Sequence, residues 1–155
     1  MAGVTKPLPR GRGAYALLVR IMEPLRLHVG QLGELRLTPG YCVYVGSALG
    51  SGGLQARVAH HARVAIRPHW HMDYLRRHTP LIEVWYSVDP VRREHQWATL
   101  FQDLGGVVPL SGFGSSDCCC PAHLFHFSHP PALTPFAAHL QVRHPDHAPL
   151  ECWPV

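Results

Sequence analysis

Apolar positions along this 155-residue chain change their period several times, and each change marks a predicted element. Residues 14–21 (AYALLVRI) are apolar on both alternating faces until Arg20, the pattern of a strand covered on both sides and therefore central. Residues 25–38 (LRLHVGQLGELRLT) alternate in two runs broken at Gly30 and Gly33. Leu25, Leu27 and Val29 share one face, as do Leu35 and Leu37 on the return, so a hairpin is predicted that extends an edge of the sheet. Pro39-Gly40 then turns the chain into a strand over residues 41–45, with Tyr41, Val43 and Val45 on one face and Cys42 and Tyr44 on the other. Gly46 is expected to end it.

A loop of Gly, Ser and Ala follows, and a helix is expected from Gly53 with Leu54, Val58 and Ala62 as its apolar stripe. Arg57 and His61 fall one turn apart on the edge of that stripe. In RPHWHMDYLRRHTP, His69 and His71 alternate around Trp70, and residues 72–78 read as a short helix stopped before Pro80. Residues 81–88 (LIEVWYSV) alternate as a strand with Ile82, Val84, Tyr86 and Val88 on one side. Asp89-Pro90 suits a helix start, so a helix is predicted over 90–104, ending at Gly105-Gly106. Its stripe is Val91, Trp97, Ala98, Phe101 and Leu104, and Glu94 falls within it. Residues 124–127 form a last short strand, residues 135–142 a short helix in Pro- and His-rich coil, and Trp153 is expected to fasten the tail.

Composition narrows the class. With 46% hydrophobic and 15% charged residues the chain is a compact globule of one domain's length rather than a disordered polymer. The expected organisation is a flexible arm over 1–12, a folded domain over 13–128 and a C-terminal extension over 129–155 that packs on the domain or trails from it. Basic residues exceed acidic ones, 14 to 10, which favours polyanionic partners without naming one. Lys6 is the sole lysine and asparagine is absent, a bias put down to skewed genomic base composition ahead of phosphate binding. The five cysteines include three adjacent ones and form no spaced disulfide framework, and no apolar run approaches a membrane span. A soluble cytoplasmic protein is therefore expected.

A phenol at a strand end, a flexible loop, and a guanidinium with an imidazole on the next helix can converge on one cleft. Glu94 adds a carboxylate on an apolar stripe, where an unpaired charge costs several kcal/mol, roughly, unless a partner or an ion meets it. It pairs with an arginine such as Arg57, or it holds a divalent metal. Gly13-Ala14-Tyr15 opening one strand, Tyr44-Val45-Gly46 on a later one and Arg57-x-x-x-His61 on the following helix resemble the GIY-YIG nuclease superfamily. The strings VYVGSALGSGGLQAR, HWHMDYL and GFGSSDCCCPAHLF are similar to one GIY-YIG branch of uncharacterised function, found alone or fused to DNA-related proteins. The likeness covers roughly residues 13–127.

The resemblance implies an α+β fold: an α/β sandwich on a small, mainly antiparallel sheet, with the hairpin as an addition, flanked by helices. It implies metal-dependent endonucleolytic hydrolysis of phosphodiester bonds in DNA, structured or damaged DNA included. Tyr15, Tyr44, Arg57, His61 and Glu94 would be the catalytic set, with Glu94 the ligand of Mg²⁺ or Mn²⁺. Tyr44 would be the base, His61 would take its proton or orient the water, Arg57 would fork onto the phosphate, and Tyr15 would orient. Many members place an asparagine near the chain's end; Asp117 or Ser116 is the candidate substitute here.

Arg63, Arg67, Trp70, His71 and Arg76, with Arg77 beside them, are the candidate nucleic-acid contacts, Trp70 by stacking on a base or by pinning its loop. An alternative function is a nucleic-acid-binding module on the same scaffold that cuts weakly or not at all. A third is a small metal-binding protein built on the His and Cys clusters. Metal on His69, His71 and Asp73 is disfavoured against plain surface or core histidines. Zinc on Cys118, Cys120 and His123 beside Asp117 is likewise not expected, because that C-x-C-x-x-H spacing is unlike ribbons or fingers.

Overall fold

The computed structural model describes residues 7–115 and 120–155. It is α+β. Five strands, β1 (Gly13–Ile21), β4 (Gly40–Ala48), β5 (Leu81–Val88), β6 (Leu124–Phe127) and β7 (Glu151–Pro154), form one sheet in the order β6-β4-β1-β5-β7, every neighbour antiparallel. Strand β1 is central, as its two apolar faces predicted. On one face lie α1 (Gly53–Ala62), α2 (His71–Arg76) and the hairpin β2 (Leu25–Val29) and β3 (Gly33–Leu37); on the other lie α3 (Glu94–Asp103) and α4 (Leu133–Arg143).

The predicted hairpin forms, and its register sets Leu25 opposite Leu37 and Leu27 opposite Leu35. Its place differs. It forms a separate two-stranded sheet rather than an edge of the main one, and its leucines with Val29 pack over the core that contains Leu17, Val19 and the α2 residues Met72 and Leu75. Alternation tells which face is apolar, and that face is satisfied equally by covering a sheet as by joining it.

Strand β4 runs past Gly46 to Ala48, because pairing with β1 continues to Gly13 opposite Ala48. The third helix begins at Glu94 rather than Pro90. The Asp89 carboxylate takes the N–H of Val91, the N–H of Ala148 and the guanidinium of Arg93, so it makes a turn and a tertiary anchor instead of a helix cap. Val91 and Leu104 are accordingly exposed, and the buried set is Glu94, Trp97, Ala98, Leu100 and Phe101.

Both ends of the described chain are tied down. The expectation of a flexible arm through residue 12 is corrected for residues 8–12: Leu8 is buried, and the carbonyls of Gly11 and Pro9 accept the N–H groups of Leu54 and Gln55 at 3.0 and 2.9 Å. These carbonyls satisfy the open first turn of α1, which has no side-chain cap. At the other end, β7 pairs with β5, Trp153 packs on the core, and Arg93 bridges Asp89 and Asp146, each at 3.0 Å. No helix among the described residues is long and apolar enough to cross a membrane.

Candidate active site

Strand register brings the two tyrosines together. Tyr15 lies opposite Gly46 and Leu17 opposite Tyr44, so Tyr15 and Tyr44 are diagonal neighbours on one face of the sheet. Gly46 is needed there: a Cβ at that position would sit 2.3 Å from the Tyr15 ring. Gly114, with φ +71°, approaches the Tyr44 ring in the same way, where a Cβ would be 2.7 Å from Cε2.

A cavity of about 380 Å³ opens beside these rings. Tyr15, Tyr44, Arg57 and Glu94 all line it, together with Trp70 and His71. They come from β1, β4, α1 and α3 and the segment leading into α2, so their meeting is a product of tertiary structure. Glu94 is the single carboxylate among the described lining residues. Its side chain is mostly covered and is ion-paired with Arg92, whose own side chain is half exposed. The expected alternative of pairing with Arg57 is thus replaced by a neighbour two positions upstream. Arg57 instead lies over the Trp70 ring, 4.4 Å from its centroid.

His61 sits behind the cavity rather than in it. Buried under Tyr15, it shares a 3.0 Å hydrogen bond between its Nε2 and the Tyr15 hydroxyl, while Tyr44 meets it only edge-on at 5.6 Å. Burial, assisted by the neighbouring His60, pushes the imidazole down to about 3, so it is neutral at physiological pH. Its hydrogen-bond link is with Tyr15 rather than with Tyr44. Burial pushes the Tyr44 phenol up to about 12 against the lowering effect of Arg57, and drives Tyr15 well above its ordinary value.

The HWHMDYL segment is held by Asp73. Its carboxylate accepts the N–H groups of His69 and Trp70 at 2.8 and 2.9 Å and meets His60 Nε2 at 2.9 Å. Burial pushes Asp73 up, yet these donors hold it below the usual carboxylate range. Asp73 is therefore the clasp at the start of α2. It fixes Trp70, which touches His60 and His61 at 4.4 and 5.4 Å between centroids. His71 Nδ1 accepts the Gly114 N–H at 2.8 Å, and burial lowers its pKa, leaving Nε2 as the N–H donor.

Arg76 requires a correction. It is 8% exposed and donates to the carbonyls of His61, Ala62 and Thr79, so its guanidinium pins α2 to the end of α1 and does not line the cavity. Arg63 and Arg67 are exposed outside the cavity lining. Ser116, Asp117, Cys118 and Cys119 lie outside the described residues. Sequence reading missed Arg92, although its place two residues before the only helix-borne glutamate was a usable signal. It also missed His123 and Gly114 as cavity residues, for which spacing offers none.

Residues 14–143 match the family described as Domain of unknown function DUF123. The chain belongs to that family. No curated protein and no solved structure matches it. Every cavity residue named above lies within the DUF123 match, whereas β7 lies beyond it.

Proposed function

We propose that this DUF123 member is a metal-dependent endonuclease of the GIY-YIG kind, hydrolysing phosphodiester bonds in DNA. The observation that carries the reading is the shared cavity of Tyr15, Tyr44, Arg57 and Glu94. A guanidinium, two phenols and one carboxylate in a partly enclosed space form a set suited to a phosphate and a hard cation.

The lining fits Mg²⁺ or Mn²⁺. Such an ion needs only one or two protein carboxylates and keeps several waters, and Glu94 supplies the carboxylate while the half-exposed Arg92 can yield its place. When bound, the ion supplies charge neutralisation at the phosphate and at the leaving 3′ oxygen. Arg57 forks onto non-bridging oxygens, held in aim by the Trp70 ring. Tyr44 holds its proton at neutral pH, so it orients the attacking water through its hydroxyl and becomes a base as added positive charge in the cavity favours the phenolate. Tyr15, backed by His61, is a positioning residue.

Supercoiled-plasmid nicking with Mg²⁺ or Mn²⁺ tests this. The wild type nicks, a chelator stops it, and Glu94→Gln and Tyr44→Phe do not nick though folded. Wild-type-like nicking by either variant would overturn the assignment. The Arg92–Glu94 ion pair favours the second reading, a binding module that does not cut; metal-dependent DNA retention without nicking by the wild type would select it.

A further inference from the structure

A second cluster of metal-binding chemistry borders the cavity, sharing its lining residue His123, and is not used by the reaction above. His95 on α3, Cys120 in the loop before β6 and His123 immediately before β6 each present one ligand atom, and these atoms all lie within 4.8 Å of one another. His95 Nδ1 is 3.4 Å from Cys120 Sγ, and the two imidazole centroids are 6.3 Å apart at 67°. In a tetrahedral zinc site, with Zn–N about 2.0–2.1 Å and Zn–S about 2.3 Å, neighbouring ligand atoms are about 3.5 Å apart. Small side-chain rotations close the difference.

The mounting is firm. The His123 N–H donates to the Phe113 carbonyl at 2.8 Å, and the Val45 N–H donates to the His123 carbonyl at 2.9 Å, so β4 and the Phe113 turn fix this ligand's backbone. His95 stands on the first turn of a helix. Its Nε2 lies 3.9 Å from Glu94 Oε1, so the nitrogen turned away from the thiol faces the carboxylate. Two imidazoles and a thiolate form a soft donor set that selects zinc-class ions and is a poor match for Mg²⁺. Spacing along the chain pointed to Cys120 and His123 but not to His95, which comes from another element.

We propose that His95, Cys120 and His123 form a sulfur-containing site for a zinc-class ion, clamping the loop before β6 to α3 next to Glu94. The site shares no ligand with an oxygen-ligated ion at Glu94 and stands whether or not the chain cuts DNA. Titrating Co²⁺ into the full chain, stripped of metal and kept reduced, tests it. One equivalent should produce thiolate-to-cobalt charge-transfer absorption and tetrahedral d–d bands that Zn²⁺ displaces and excess Mg²⁺ does not. His95→Ala and Cys120→Ser, each checked for fold by circular dichroism, should weaken binding by more than about 100-fold, beyond what changes outside a ligand set produce. His95→Ala removes a half-exposed side chain and is the decisive variant, since it leaves all cysteines in place. Absence of the charge-transfer band in the wild type, or its survival at unchanged affinity in His95→Ala, overturns the proposal.

Discussion

Both faces of the main sheet carry aromatic rings, and they differ in what meets the rings' edges. On the α3 and α4 face the rings meet one another. Phe101 and Phe136 stack at 4.1 Å and 18°, with Trp85, Phe125 and Trp97 around them. Ala14 and Ala16 of β1 present only methyl groups there, leaving room for this slab. On the opposite face the same strand presents Tyr15, and the rings around it, Tyr44, His61 and Trp70, each carry a heteroatom and border or back an open cavity. One strand thus supports a dry layer that holds the fold and a polar layer that can meet a ligand. Substitutions on the two faces should therefore separate stability from activity.

The largest effect is expected on the dry face. Trp97→Ala should cost about 3–5 kcal/mol, because a fully buried ring leaves a cavity and His147 loses its 2.8 Å indole donor. Urea unfolding measures it, and a loss below about 1 kcal/mol would break the distinction between the faces. Next, Tyr44→Phe should reduce nicking by on the order of 10²–10⁴-fold, the range for a general base, while the unfolding midpoint stays close to wild type. Because burial holds the phenol near 12, wild-type nicking should rise with pH above neutrality, and this dependence should vanish in Tyr44→Phe.

A smaller effect should appear in stability against pH. The buried His61 has its pKa depressed to about 3, below the unfolded value of about 6.5, so the unfolded chain takes up the proton first. Its stabilising contribution is complete above pH ~6.5 and is lost as pH falls toward 3, by on the order of 1.4 kcal/mol per pH unit within that window. Urea midpoints between pH 7.5 and 5 should show the decline, and His61→Gln should flatten it. The smallest effect belongs to the periphery. Arg63→Gln and Arg67→Gln should each lower the salt-dependence slope of DNA binding by about one, with little change in nicking rate at saturating DNA. Unchanged slopes in fluorescence-anisotropy titrations would remove these two arginines from the interface.

Local pattern was legible wherever neighbours along the chain settle the outcome. The two-faced apolar run of β1, the alternation of β5, the leucine faces of the hairpin and the Leu54 and Val58 stripe of α1 were all readable. Tyr15, Tyr44, Arg57 and Glu94 were readable as separate residues with suitable chemistry. Other features needed partners from afar. Arg76 looked like surface charge until three carbonyls claimed it, Asp89 looked like a helix cap until Arg93 and Ala148 took its carboxylate, and β7 carried no strand pattern apart from the edge of β5 it completes.

Sequence alone determined which side chains are apolar at which period, hence most of the elements, since that information is local, and the resemblance carried by its motifs implied the α+β class. Tertiary structure decided which side of the sheet the hairpin covers, that His61 stands behind Tyr15 rather than beside Tyr44, and that Arg92 rather than Arg57 meets Glu94. It also decided that His95 faces Cys120 and His123. The reason is common to all four: ion pairs, hydrogen bonds and ligand sets depend on distances of a few ångströms between residues remote in the chain, and only the packed sheet and helices set those distances.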